Sequence, residues 1–150
     1  MDEDVRELFA GAKLLYSLEN FVLVGLPGVA NISMGGEGFS AVIKEKGQTT
    51  LVLPADKFLE VAGSLREPRV EGPFVAMTLD APVDWKATGG IPELSRLLAA
   101  EGIRFTFVPA FARIHVLVRT EDAEKAINLI GTLIEDCKAD MGAAKKGARQ

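Results

Sequence analysis

Residues 74–137 carry, in a fixed order, one strand pattern, one helix pattern, two more strand patterns and a second helix pattern. The first strand is the apolar run 74–79, and the later strands alternate apolar and polar residues between 103 and 119. The first helix begins near Ile91 and ends before Gly102, a residue suited to a left-handed helix stop. The second begins at Thr120, a good N-cap, and keeps helical apolar spacing as far as Cys137. No other feature of the sequence constrains the fold as strongly as this order.

The same plan is recognisable, in reduced form, in the first half. A buried strand at 21–26 is followed by a glycine-rich connection, a hairpin over 39–53, and a helix that begins at Pro54. We therefore predict an α+β fold of two ferredoxin-like βαββαβ halves, with antiparallel sheets and helices on one face. The first half is degenerate, because the loop at 27–38 replaces its first helix. The second half lacks its last edge strand, which either residues 14–26 or another subunit would supply.

These patterns divide the chain into four predicted segments. Residues 1–13 are an N-terminal extension with helical spacing, and residues 14–72 are the first half. Residues 73–137 are the second half, and residues 138–150 form a flexible basic tail.

Composition excludes several classes of protein. Hydrophobic residues make up 48% of the 150 residues, enough for a packed core. The net charge of −4 and the absence of a basic stripe argue against a nucleic-acid partner. The apolar runs are too short to span a membrane, and the acidic start is unlike a secretory signal. The single cysteine excludes an internal disulfide framework, so we predict a cytoplasmic protein with no membrane partner.

Neither of the two strongest candidates for chemistry has partners in the sequence. His115 has no second histidine, cysteine or suitably spaced acid, so we expect it at a surface or interface rather than as a base or metal ligand. Cys137 lies on the apolar stripe of the last helix, which predicts a buried, inert thiol. We therefore predict no catalytic residue, no metal site and no cofactor, and a protein that is not an enzyme.

Several motifs resemble the tandem ACT-domain family, whose members include cytosolic arginine sensors. They are Leu26-Pro27, Phe39-Ser40-Ala41, the strand Thr49–Pro54, the strand Phe74–Leu79, the turn Thr88–Ile91, the helix end Leu98–Ile103 and the stretch Leu117–Ala126. The last of these is the most specific. The chain departs from the family in the turn before that stretch, where residues 108–114 contain no acid.

The resemblance implies a regulatory module that binds a small metabolite of the amino-acid class at a domain or subunit interface. The implied ligand-binding residues are Thr88, Gly89, Gly90, Ile91 and Phe111. Glycines let a backbone approach a ligand closely, and the helix start that follows suits a carboxylate. The resemblance also implies a homo-oligomer. Two alternatives stay open. In the first, the turn is a tight crossover that binds no ligand. In the second, the protein is a ligand-free interaction module that pairs with an enzyme or regulator.

Overall fold

The computed structural model describes residues 1–36, 38–81 and 89–148. The elements are, in chain order, α1 (Glu3–Ala10), β1 (Lys13–Tyr16), β2 (Phe21–Pro27), β3 (Ala41–Glu45), β4 (Gln48–Pro54), α2 (Ala55–Val61), β5 (Arg69–Asp80), α3 (Gly90–Ala100), β6 (Phe105–Pro109), β7 (Arg113–Arg119) and α4 (Ala123–Ala148). They form two units: a composite unit of Met1–Tyr16 with Ala76–Gln150, and an inserted unit of Ser17–Val75. The fold is α+β, as predicted.

The sheet of the composite unit has the strand order β1-β5-β7-β6. β1 pairs antiparallel with β5, with Leu14 opposite Leu79 and Tyr16 opposite Met77. β6 and β7 pair antiparallel, and the alternating pattern predicted both strands. The N-terminal segment of this chain therefore supplies the edge strand of the composite unit. Of the predicted source, residues 14–26, it is residues 14–16 that belong to this strand.

Helix α1 belongs to the core of the composite unit. It lies within the segment predicted to be helical, and its buried residues are Val5, Leu8 and Phe9. It packs against both α3 and α4. Cys137 of α4 is buried, as predicted, with its Sγ 3.9 Å from the sulfur of Met1. Burial raises the pKa of this thiol, so it stays protonated and unreactive near neutral pH.

Helix α4 is longer than the sequence indicated. We predicted a flexible tail from residue 138, whereas the helix continues to Ala148. Alanine and lysine make up most of this stretch and both favour helix, and no proline interrupts it. The two glycines in it, Gly142 and Gly147, weaken the helix locally without ending it.

The inserted unit has the strand order β3-β4-β2-β5. β4 pairs antiparallel with β2 and with β3, so the predicted hairpin is present. Between β2 and β3 the described residues, 28–36 and 38–40, form no helix. One sheet face packs against Phe58 of α2 and Leu65; its buried residues are Val22, Val24, Leu26, Leu51 and Leu53.

Strand β7 is buried on both faces, because all five residues from 114 to 118 are buried. His115 is only 8% exposed, so the surface alternative of its predicted surface or interface position is wrong. Its alternation with Arg113 and Leu117 suggested a polar face, but a period-two pattern does not show whether that face is covered. The ring is satisfied locally, since Nδ1 lies 2.8 Å from Oγ1 of Thr78 on β5.

Burial lowers the pKa of His115, and the positive charge of Arg113 lowers it further. The unfolded chain therefore binds more protons than the folded chain when the pH lies between the folded pKa and the ordinary value of about 6.5. The stabilising contribution is complete above the unfolded value and is lost as the pH falls towards the folded pKa.

We expect the free energy of unfolding to decrease when the pH is lowered from neutral to about 5. The measurement is urea denaturation across this pH range, for the wild type and for His115→Gln. The substitution removes the titrating ring, so the slope of stability against pH should become shallower in the variant. Equal slopes for the two proteins would contradict the assignment to His115.

Candidate functional site

The predicted glycine turn opens helix α3 in the composite unit. Thr88, the first of its predicted residues, lies outside the described residues. Gly90 is buried, and Gly89 is half-buried. A Cβ atom placed on Gly89 would lie 2.5 Å from Cγ2 of Val5, and one on Gly90 would lie 3.0 Å from Cδ2 of Leu8. The two glycines therefore allow α1 to pack directly against the start of α3.

The electrostatics of this helix start are set by an acidic residue in its first turn. The Glu93 carboxylate accepts hydrogen bonds from the Arg96 guanidinium, and this pairing holds the pKa of Glu93 below its usual value. The backbone N–H of Glu93 donates to the Gly89 carbonyl, over 3.1 Å. A negative side chain in the first turn already interacts favourably with the positive end of the helix. A ligand carboxylate bound there would have to share that position with Glu93.

The remaining predicted residues are placed on different elements. Ile91 is an exposed residue of α3. Phe111 lies in the turn between β6 and β7 and is 84% exposed. This turn is closed by a hydrogen bond from the Ala110 N–H to the Arg113 carbonyl. The structure thus gives the glycines a packing role, while ligand binding by the five residues stays a prediction.

The inserted unit has its own glycine-rich connection, between β2 and β3. The buried side chain of Thr49 fixes its beginning: Oγ1 donates to the Gly28 carbonyl over 2.9 Å and accepts from the Ala30 N–H over 3.1 Å. Further along, Lys57 Nζ donates to the Gly35 carbonyl over 2.9 Å. Gly28 has a φ of 72°, a conformation that favours glycine. Specific side chains hold this connection, although its described residues, 28–36 and 38–40, form no helix.

The described residues of the inserted unit line cavities that the sequence reasoning missed. One, of about 520 Å³, lies between the start of this connection and the segment that includes Leu65 and Arg66. Another, of about 620 Å³, includes Gly25, Thr50 and Arg69 in its lining. Gly25 was the available signal, because a glycine inside an apolar strand often marks a close approach to a ligand or another backbone.

No group of three or more histidine, cysteine, aspartate or glutamate side chains in 1–36, 38–81 and 89–148 is arranged to hold a metal ion. In the same part of the chain, no helix combines the length and apolar character needed to cross a bilayer.

We expect Gly89→Ala to destabilise the protein by about 1–3 kcal/mol, because the new methyl group overlaps the stiff, branched side chain of Val5. The backbone at Gly89, with φ −95° and ψ −3°, is accessible to alanine, so the cost is steric. Gly131→Ala is the matched control, since nothing lies within 4 Å of its Cβ position.

In α4 that control substitution should stabilise by up to about 1 kcal/mol. Urea denaturation measures both variants. A Gly89→Ala protein as stable as the wild type would show that α1 does not pack tightly on this turn.

Comparison with known proteins gives solved structures but no sequence match. No protein-family model matches the sequence, and neither does any curated protein. A Vibrio cholerae protein of unknown function, described as a possible transport protein, is 21% identical and has a TM-score of 0.67 over 88% of this chain and 97% of that one. A protein from Agobacterium tumefaciens is 22% identical, with a TM-score of 0.63 over 77% and 83% of the two chains.

A third similar structure is the regulatory subunit of aspartate kinase from Thermus flavus. It is 13% identical and has a TM-score of 0.58 over 82% of this chain and 96% of that one. At such identities the comparison shows the fold alone. The chain therefore has an ACT-like α+β fold, shared with a regulatory subunit of aspartate kinase.

Proposed function

We propose that this protein is a non-catalytic regulatory module of ACT type that binds a small metabolite of the amino-acid class. The observation that carries the proposal is the shared fold. The chain aligns with nearly the whole of a separate regulatory subunit of aspartate kinase, 96% of its length. That polypeptide is named for regulation rather than for catalysis, which supports a regulatory role for the same fold here.

The strand orders of the two units support a tandem arrangement. The order β3-β4-β2-β5 in the inserted unit corresponds, position by position, to β6-β7-β5-β1 in the composite unit. Helix α2 follows β4 as α4 follows β7. The connection between β2 and β3 stands where α3 stands in the composite unit. The proposal therefore includes two ACT-like halves, of which the inserted unit is the degenerate one.

We expect at least one of the standard amino acids to stabilise the protein when each is added separately at about 5 mM. A ligand with a Kd one hundred times lower than its concentration stabilises the folded state by about 2.7 kcal/mol. For a chain of this size that corresponds to a rise in Tm of about 5–10 °C. Thermal unfolding with each amino acid measures it.

The D-enantiomer of each stabilising amino acid is the control for non-specific solute effects. If the protein is folded and no amino acid raises its Tm, binding of the amino-acid class is wrong.

A second candidate function, protein–protein interaction, is favoured by the edge strand β1. Within the described residues β1 pairs only with β5, and its Leu15 and Tyr16 side chains are about half exposed. An edge strand with exposed apolar side chains is a template for pairing with another chain. A second copy of this chain is the partner that would require no other component.

We expect the wild type to elute as a homo-oligomer and Leu15→Lys to shift towards the monomer, because a charge on the edge strand opposes pairing. Light scattering coupled to size-exclusion chromatography measures the mass. Leu59→Lys is the control, since Leu59 is an exposed residue of α2. A monomeric wild type, or a Leu15→Lys variant with unchanged mass, would contradict pairing through β1.

A further inference from the structure

The cavity that includes Gly25, Thr50 and Arg69 in its lining is an open groove on the sheet, called the Gly25 groove below. It lies within the inserted unit, and its volume is about 620 Å³. Its lining includes Leu23, Gly25, Pro27, Thr50, Glu67 and Arg69. Pockets that hold small molecules have volumes of about 300–1,000 Å³. The groove is therefore of a size that accommodates a small metabolite.

The strand register explains why there is a groove at this point. Gly25 of β2 lies opposite Thr50 of β4 on one side and opposite Arg69 of β5 on the other. Directly opposed residues of antiparallel strands project from the same face of a sheet. Nothing lies within 4 Å of the Cβ position of Gly25. Because Gly25 has no side chain, the groove lies between Thr50 and Arg69.

The lining of this groove carries both a positive and a negative side chain. The side chains of Arg69 and Glu67 are exposed, and within the described residues neither side chain takes part in a hydrogen bond or an ion pair. An arginine guanidinium matches a carboxylate with two parallel hydrogen bonds. A glutamate carboxylate in turn accepts hydrogen bonds from an ammonium group. The two side chains thus offer complementary receptors for a molecule that carries both charges.

Glu67 also has an unusual backbone conformation. Its φ of 45° lies in the left-handed region, which non-glycine residues rarely adopt. This strained position lies two residues before Arg69, the first residue of β5, and it places a carboxylate, rather than the less costly glycine, beside the groove.

The other wall and the ends of the groove complete its chemistry. On β4, Gln48 Nε2 donates to Thr50 Oγ1 over 3.4 Å, so polar groups line the wall opposite Arg69. Leu23 and Pro27 add apolar surface along β2. These walls suit a small molecule that carries its charged groups at one end, near Arg69 and Glu67, and an uncharged side chain at the other, along β2.

We propose that this groove binds a zwitterionic α-amino compound, with its carboxylate on Arg69 and its ammonium group on Glu67. This inference rests on the proposed function and places its ligand on the sheet face of the inserted unit instead of at the turn 88–91. A free amino acid and a short peptide share this chemistry, and the volume of the groove admits either.

Three variants of the full-length protein test the assignment. Gly25→Val fills the groove at this position, and valine suits a strand position with open space around its Cβ. Arg69→Gln and Glu67→Gln each remove one charge. Arg66→Gln is the matched control, because Arg66 is exposed and close in sequence but does not line this groove. Circular dichroism and Tm confirm that each variant is folded.

Titration calorimetry uses the standard amino acid that raises the wild-type Tm most, its C-terminal amide, its N-acetyl form and its homodipeptide. We expect Gly25→Val, Arg69→Gln and Glu67→Gln each to weaken binding by about tenfold or more, and Arg66→Gln by less than about twofold. In the wild type, the amide and the N-acetyl form should each lose about tenfold in affinity. The relative affinity of the homodipeptide decides between a free amino acid and a peptide.

The outcomes separate the two proposals. If the wild type binds the amino acid and folded Gly25→Val and Arg69→Gln bind it equally well, the groove is not the site, and the proposed function stands. If the wild type binds none of the standard amino acids and none of their homodipeptides, the proposed function and this site both fail.

Discussion

The pairing of β1 with β5 is the interaction on which the composite unit depends. β5 has 12 residues, and its last four pair with Lys13–Tyr16. This pairing brings the N-terminus of the chain into a unit whose other elements begin at Ala76. It also fixes the position of α1, because only two residues separate that helix from β1. Without β1, the last four residues of β5 would form an uncovered sheet edge, and α1 would lose the short connection that holds it near α3 and α4.

Glycines have two different roles in the two units. At Gly89 and Gly90 the missing side chains are replaced by Val5 and Leu8 of α1, so the space is filled. At Gly25 the missing side chain is replaced by nothing, so a groove remains. Glycine permits a close approach in both cases, but the sequence does not indicate whether a helix of the same chain or a ligand makes that approach.

Much of the fold could be predicted because the signals are local. The spacing of apolar residues marks α4 from Ala123 to Cys137, and alternation marks the strands β6 and β7. The two residues that carry chemistry show the limit of such patterns. Cys137 lies on an apolar helical stripe, and its burial follows directly. The burial of His115 does not follow, because alternation identifies the two faces of a strand but not what covers each of them.

The order of the elements and the α+β class follow from the amino-acid sequence alone. These depend on neighbours a few positions apart, whose spacing sets helix and strand periodicity. Only the tertiary structure decided that β1 supplies the edge strand, that α1 fills the turn before α3, and that Thr50 and Arg69 stand on either side of Gly25. Each of these joins residues far apart in the chain, and strand register and helix packing, rather than local periodicity, bring them together.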